Sequence, residues 1–199
     1  MGLDYSYEII TPARNVATAL RKLSELAPRR DGRPPITVTL PGGEQVVLPF
    51  TSGFKGEPVD CSTGGRLPLD TSLMFGVDDD AVRAYVEDRD PEVDELGRVP
   101  IGYIYLTVLF APPQHPRYAS LEFTAATSGM SRLFARSAGV RVVFTDLAAA
   151  SGGVCCLLDT ESDTKDICWL DGRPVQETVP GPRFANYRAL AATWPGQDR

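Results

Sequence analysis

Apolar and polar positions alternate through residues 5–10, where Tyr7 and Ile9 flank Glu8, and this predicts an opening strand. Thr11 followed by Pro12 reads as an N-cap with proline at the first helical position. Val16, Ala17, Leu20, Leu23 and Leu26 then recur at helical spacing, predicting an amphipathic helix over residues 12–27 that Pro28 ends. Residues 36–40 alternate again, Pro41-Gly42-Gly43-Glu44 turns the chain, and residues 45–50 return as the second arm of a hairpin. Residues 51–70 are rich in Gly, Ser, Thr and Pro, and predict a long irregular loop that exposes Cys61.

A short apolar strand is expected at residues 72–77. Asp78-Asp79-Asp80 then caps a helix over residues 79–89, and an acidic loop follows to Gly97. Residues 101–110 are apolar at both parities, with Tyr103 and Tyr105 on one side, as in a strand covered on both faces or lining a groove. After a proline-rich connection holding His115, residues 118–125 read as a strand. A helix from Ser128 breaks at Gly139, a second runs to Ala150, and Ser151-Gly152-Gly153 stops it. Residues 154–158 and 166–170 form a second hairpin, Asp171-Gly172-Arg173-Pro174 leaves it, and residues 182–194 predict a terminal helix.

This order contains an internal echo. Residues 5–50 and 118–170 each run strand, helix, hairpin, and open on the similar tetrads Ser6-Tyr7-Glu8-Ile9 and Ser120-Leu121-Glu122-Phe123. The expected fold is a single α+β domain over residues 1–199. It has a mainly antiparallel sheet with helices packed on one face, and residues 72–110 intervene between two pseudo-repeat units.

At 199 residues with 43% hydrophobic content, the chain can bury a core without disulfides or metals. The net charge of −6 argues against nucleic acid as the main partner. Arg29, Arg30 and Arg33 cluster beside Pro34 and Pro35, as in a solvated loop or an anion site. No apolar run is long enough to cross a bilayer, so no membrane partner is expected. The start matches the loose myristoylation pattern Met-Gly-x-x-x-Ser, but Tyr5 and Tyr7 already read as strand residues. With no signal segment, a cytoplasmic location and reduced thiols at Cys61, Cys155, Cys156 and Cys168 are expected.

Three constellations have chemical potential. Glu8 and Glu122 sit on strands between apolar neighbours; facing one cleft, they could share a proton, bind a cation or act as acid and base, and otherwise they lie on the wet face of the sheet. Cys156 falls opposite Cys168 and Cys155 opposite Trp169 if the second hairpin turns near residues 161–163; adjacent Cys155 and Cys156 point to opposite faces, which disfavours a shared metal ion. His115 is the one histidine, so any Ser-His or Cys-His enzyme would need it as base, but no nucleophile motif accompanies it. An Asp88, Asp90, Glu92, Asp94 run fails as an EF-hand because Val93 and Val99 occupy the required Gly and Glu positions.

The segment with Glu122-Phe123-Thr124-Ala125-Ala126 and Ser151-Gly152-Gly153-Val154-Cys155-Cys156 resembles uncharacterised actinobacterial proteins. The paired strand-helix-strand-strand pattern resembles gyrase-inhibitor-like effector-binding domains. That resemblance implies a cleft between two modules for bulky, often cationic small molecules, with an acidic residue in the pocket. The leading expectation is a non-enzymatic protein without a cofactor or metal. It would bind a small molecule between Glu8, Glu122, Tyr7, Tyr103, Tyr105, Tyr118 and Trp169. The alternatives are a protein-interaction or immunity-type module using the acidic face at residues 78–95, and an enzyme using Glu122 or Cys61.

Overall fold

The computed structural model describes residues 2–28 and 35–195; the arginine cluster at 29–33 lies outside them. The fold is α+β, with five α-helices among the described residues and a seven-stranded antiparallel sheet. The sheet is ordered β10-β9-β8-β1-β7-β6-β5. These strands are β1 (Ser6–Pro12), β5 (Arg66–Gly76), β6 (Arg98–Phe110), β7 (Tyr118–Ala125), β8 (Cys155–Asp159), β9 (Thr164–Leu170) and β10 (Arg173–Pro180). The hairpin β2 (Ile36–Thr39) and β3 (Gln45–Leu48) leaves this sheet and joins β4 (Val59–Asp60) in a separate one, ordered β3-β2-β4.

Alternation along β1 decides which layer each residue enters. Tyr7 and Ile9 point into the main core, with α1 (Val16–Glu25), α2 (Asp80–Val86), α3 (Ser128–Arg136) and α4 (Ala138–Ala150). Ile10 points the other way, into a second cluster with Tyr118, Leu157, Tyr187 and Trp194. Tyr187 belongs to α5 (Ala185–Ala192), so the fifth helix covers part of the opposite face. Four of the five helices contribute to the main core and the fifth to the second cluster.

Helix α1 starts later than its sequence suggests. Pro12 still belongs to β1, and Thr11 is no cap: its hydroxyl donates to Ser151 O at 3.1 Å. A 3-10 turn (Ala13–Asn15) intervenes, and Val16, Ala17, Ala19, Leu20 and Leu23 form the buried stripe. The break between α3 and α4 falls at Ser137, whose hydroxyl accepts from Val140 N at 2.9 Å.

The two echoing segments do not occupy equivalent places. Their opening strands pair antiparallel, from Ser6 opposite Thr124 to Pro12 opposite Tyr118. Yet β8 and β9 join the main sheet beside β1, whereas β2 and β3 form their own sheet. The central order β8-β1-β7-β6, with α1 and α4 on one face, follows a split βαβ path instead. The region read as an irregular loop contains β4 and the start of β5, and Cys61 N donates to Thr39 O at 2.8 Å. Cys61 is consequently 3% exposed, not the open thiol expected.

Candidate functional site

The central position of β1 places Glu8 in the middle of the sheet, directly opposite Glu122 on β7. Alternation and register bring Ser6, Ser120 and Thr124, Tyr105 and Thr107 of β6, Asp159 of β8 and Lys165 of β9 to the same face. Part of this face lies under α5, and the remainder is open.

Two like charges facing each other across an antiparallel pair repel. The surroundings relieve Glu8. Lys165 Nζ lies 3.2 Å from Glu8 Oε2 and 3.3 Å from Asp159 Oδ2, and its side chain is only 12% exposed. Ser120 Oγ donates to Glu8 Oε1 at 2.7 Å. Burial alone would lower the pKa of this ammonium, but the Glu8 and Asp159 charges outweigh it and hold the pKa above its usual value. Glu122 stands differently. Burial, then the Glu8 charge, push its pKa up; Lys165 and a hydrogen bond from Ser6 only partly offset this. The cluster thus holds three carboxyl groups around one ammonium, and Glu122 has no ion pair of its own among the described residues.

Beside Thr124 the face turns aromatic. Tyr105 is the register partner of Thr124 and lies one step diagonally from Glu122. Phe54, from the loop after β3, stands edge-on to Tyr103 and Tyr105 at ring-centroid distances of 5.8 and 6.5 Å. Asp70 on β5 fixes that loop: its Oδ2 accepts from Phe54 N at 2.5 Å and from Thr51 Oγ1 at 3.1 Å. Phe54, Tyr103 and Tyr105 remain 63%, 50% and 42% exposed, so β6 is open along this row and not covered on both faces.

Four of the seven residues expected to line a ligand site, Glu8, Glu122, Tyr103 and Tyr105, therefore share one face of the sheet, the glutamates partly buried and the tyrosines exposed. Tyr7 is on the opposite face, fully buried, stacked on Phe144 at 4.3 Å and donating to Phe134 O at 3.0 Å. Trp169 also packs against the main core, with Nε1 donating to Gly153 O at 3.0 Å. Tyr118 shares the Glu8 face but lies under the C-terminal segment, its hydroxyl donating to Pro195 O. Sequence reading missed Phe54, hidden in a glycine-rich loop, and Lys165, whose signal was only the scarcity of lysines in this chain.

The other constellations have structural surroundings. A bulge between Cys156 and Leu157 shifts the second hairpin, so Cys156 faces Trp169 and Cys155 faces Leu170. Cys156 and Cys168 lie in the main core and Cys155 in the second cluster. Among the described residues no group of three or more His, Cys, Asp or Glu is placed to hold a metal ion. His115 is 3% exposed against the rings of Tyr118 and Trp194, and neither ring nitrogen has a hydrogen-bond partner among the described residues. In the acidic stretch, Asp79 accepts from Val82 N at 3.0 Å and from Gly139 N at 2.9 Å, tying α2 to the start of α4. Asp94 closes the following turn onto Arg98, with Oδ2 2.8 Å from its guanidinium.

No family model matches the chain, and neither the curated proteins nor the solved structures compared with it include a similar one.

Proposed function

We propose that the protein binds a small organic cation on the open face of its sheet. The observation that carries this reading is the direct opposition of Glu8 and Glu122 beside the exposed rings of Phe54, Tyr103 and Tyr105. Lys165 bridges Glu8 and Asp159 and offsets only one of their two charges, so the cationic group of a ligand would complement the remaining negative charge beside Glu122. Aromatic edges and faces beside a carboxylate favour a cation with its own apolar bulk, and each cation–π contact contributes roughly 0.5–2 kcal/mol.

Titration calorimetry with tetraphenylphosphonium, and with tetraphenylborate as the anion of equal shape, tests the reading. Saturable binding of the phosphonium alone is expected. Glu122→Gln and Tyr105→Ala should each weaken it about 3–30-fold, the range of one such contact. Binding should also weaken as acid protonates Glu122. Equal binding of the borate, or unchanged binding by a Glu8→Gln, Glu122→Gln double variant, refutes it.

A further inference from the structure

The C-terminal segment after β10 crosses the sheet as a strap. Three buried side chains, Tyr187, Ala191 and Trp194, seat it on the second apolar cluster. Its polar ties are few: Tyr118 Oη donates to Pro195 O, Gly181 N donates to Asp163 O at 3.1 Å, and an exposed Arg183–Asp163 ion pair closes at 2.7 Å. Segments with few buried contacts and few hydrogen bonds open at lower free energy than the core they cover.

The strap closes over an anomaly. Three buried polar atoms have no partner among the described residues: His115 Nδ1 and Nε2 under the strap and Trp194 Nε1 on it. Buried polar groups in native structures are nearly always paired, and a cluster of exceptions needs a reason. The His115 and Trp194 rings stand edge to face at 5.3 Å, and Tyr118 completes the aromatic box at 6.5 Å from His115 and 5.5 Å from Trp194. An imidazolium in this box would have two N–H donors and no acceptor among the described residues. Trp194 is one of the two rings packed against it, so its departure would let water in.

We propose that protonation of His115 releases this strap from the sheet, making the segment from α5 to Pro195 an acid-triggered cover. The ionisable groups around the box do not remove the effect. Tyr118 on β7 and Tyr187 on α5 are phenols held neutral by burial. Arg117, Arg14 and Asp171 act on the Tyr118 hydroxyl, not on the imidazole. Glu8 on β1 is the one group that favours the imidazolium, and burial outweighs it, leaving the His115 pKa below 6.5 while the strap is closed. In the open state the ring is solvated and titrates near 6.5. A group whose pKa is depressed in the closed state stabilises that state above pH 6.5. Closure then weakens by up to about tenfold per pH unit below it, until the closed-state pKa is reached. Release uncovers Ile10, Tyr118 and Leu157 next to Glu8, widening the open face.

The two tryptophans, Trp169 and Trp194, make this measurable without altering the sequence. The protein labelled with 5-fluorotryptophan is followed by fluorine NMR from pH 7.5 to 5.0, with near-ultraviolet circular dichroism as a monitor of the core. The Trp194 resonance is expected to move to its solvent-exposed position with a midpoint below 6.5, while that of Trp169 stays. His115→Phe fills the box with a ring that cannot titrate, and should abolish the movement; His115→Gln serves if the phenylalanine variant does not fold. The proposal is overturned if Trp194 stays buried at pH 5.0. It is overturned equally if both tryptophans move together, or if the variant opens at the same pH as the parent.

Discussion

Lys165→Met tests whether the charged cluster is held together as described. Methionine keeps most of the apolar stem and deletes only the ammonium. Glu8 and Asp159, whose side chains are 17% and 30% exposed, would then face each other and Glu122 without a cation. Removing one partner of a buried ion pair costs roughly 3–5 kcal/mol. Here Asp159 keeps some water and Glu8 keeps the Ser120 hydroxyl, so about 2–3 kcal/mol is expected, below that range. For a chain of this length the loss corresponds to a fall in Tm of about 4–12 °C. The sign with pH also follows. Because the Lys165 pKa is raised in the fold, its contribution is complete below 10.5 and is lost as pH rises through the higher folded value. The deficit of the variant should therefore be flat from pH 7 to 9 and shrink in strong alkali. Urea denaturation at pH 7.5 gives the magnitude. Adding Glu8→Gln to Lys165→Met should recover at least half of the loss, because the stranded charge goes with it. A loss under about 1 kcal/mol would put the pair in the class of surface salt bridges and refute the argument; so would a double variant no more stable than the single.

Two further outcomes follow from the same geometry. Asp79→Ala removes the cap of α2 and the acceptor for Gly139 N, and should cost roughly 1–2 kcal/mol in urea unfolding, with Asp79→Asn retaining most of it. Burial pushes the Asp79 carboxyl up, but the hydrogen bonds from Gly139 and Val82 outweigh it and leave its pKa below 3.8; the penalty should accordingly be full at neutral pH and fade as pH falls through that lower value. Cys61, Cys155, Cys156 and Cys168 are all at most 3% exposed, so a chromogenic disulfide reagent at pH 8 should find less than one thiol in the native protein and all four in urea. Rapid modification of any one of them in the native state would contradict their placement.

Patterning made most elements legible, because their periodicity is local. The alternation around Glu8 and Glu122, the helical stripe from Val16 to Leu23 and the Gly42-Gly43 hairpin each stand within ten residues. Partner choice was not legible. Nothing in residues 36–48 says that this hairpin leaves the main sheet, and in residues 173–180 Pro174 and Pro180 suit an edge strand but do not say which strand it joins. For the site, the sequence placed both glutamates on strands; their direct opposition depends on the register of strands more than a hundred residues apart. Tyr7 and Trp169 were misjudged because alternation assigns parity, and the core-facing parity is known only once the covering helices are placed. Lys165 escaped because its role comes from the β8–β9 turn, which lays it against Asp159.

The central seat of β1 carries a consequence for biosynthesis. The strand bearing Glu8 leaves the ribosome well before its neighbours β7 and β8, which both come from more than a hundred residues later. At roughly 5–20 residues per second, β1 waits on the order of 5–20 s with both edges unpaired. Helix α1 can form meanwhile, since its contacts are local, but the sheet closes only when β7 slides in on one side and β8 on the other. The Glu8–Glu122 opposition therefore waits for β7 and the Lys165 bridge for β9, and a chain halted before β8 holds β1 with one edge still unpaired.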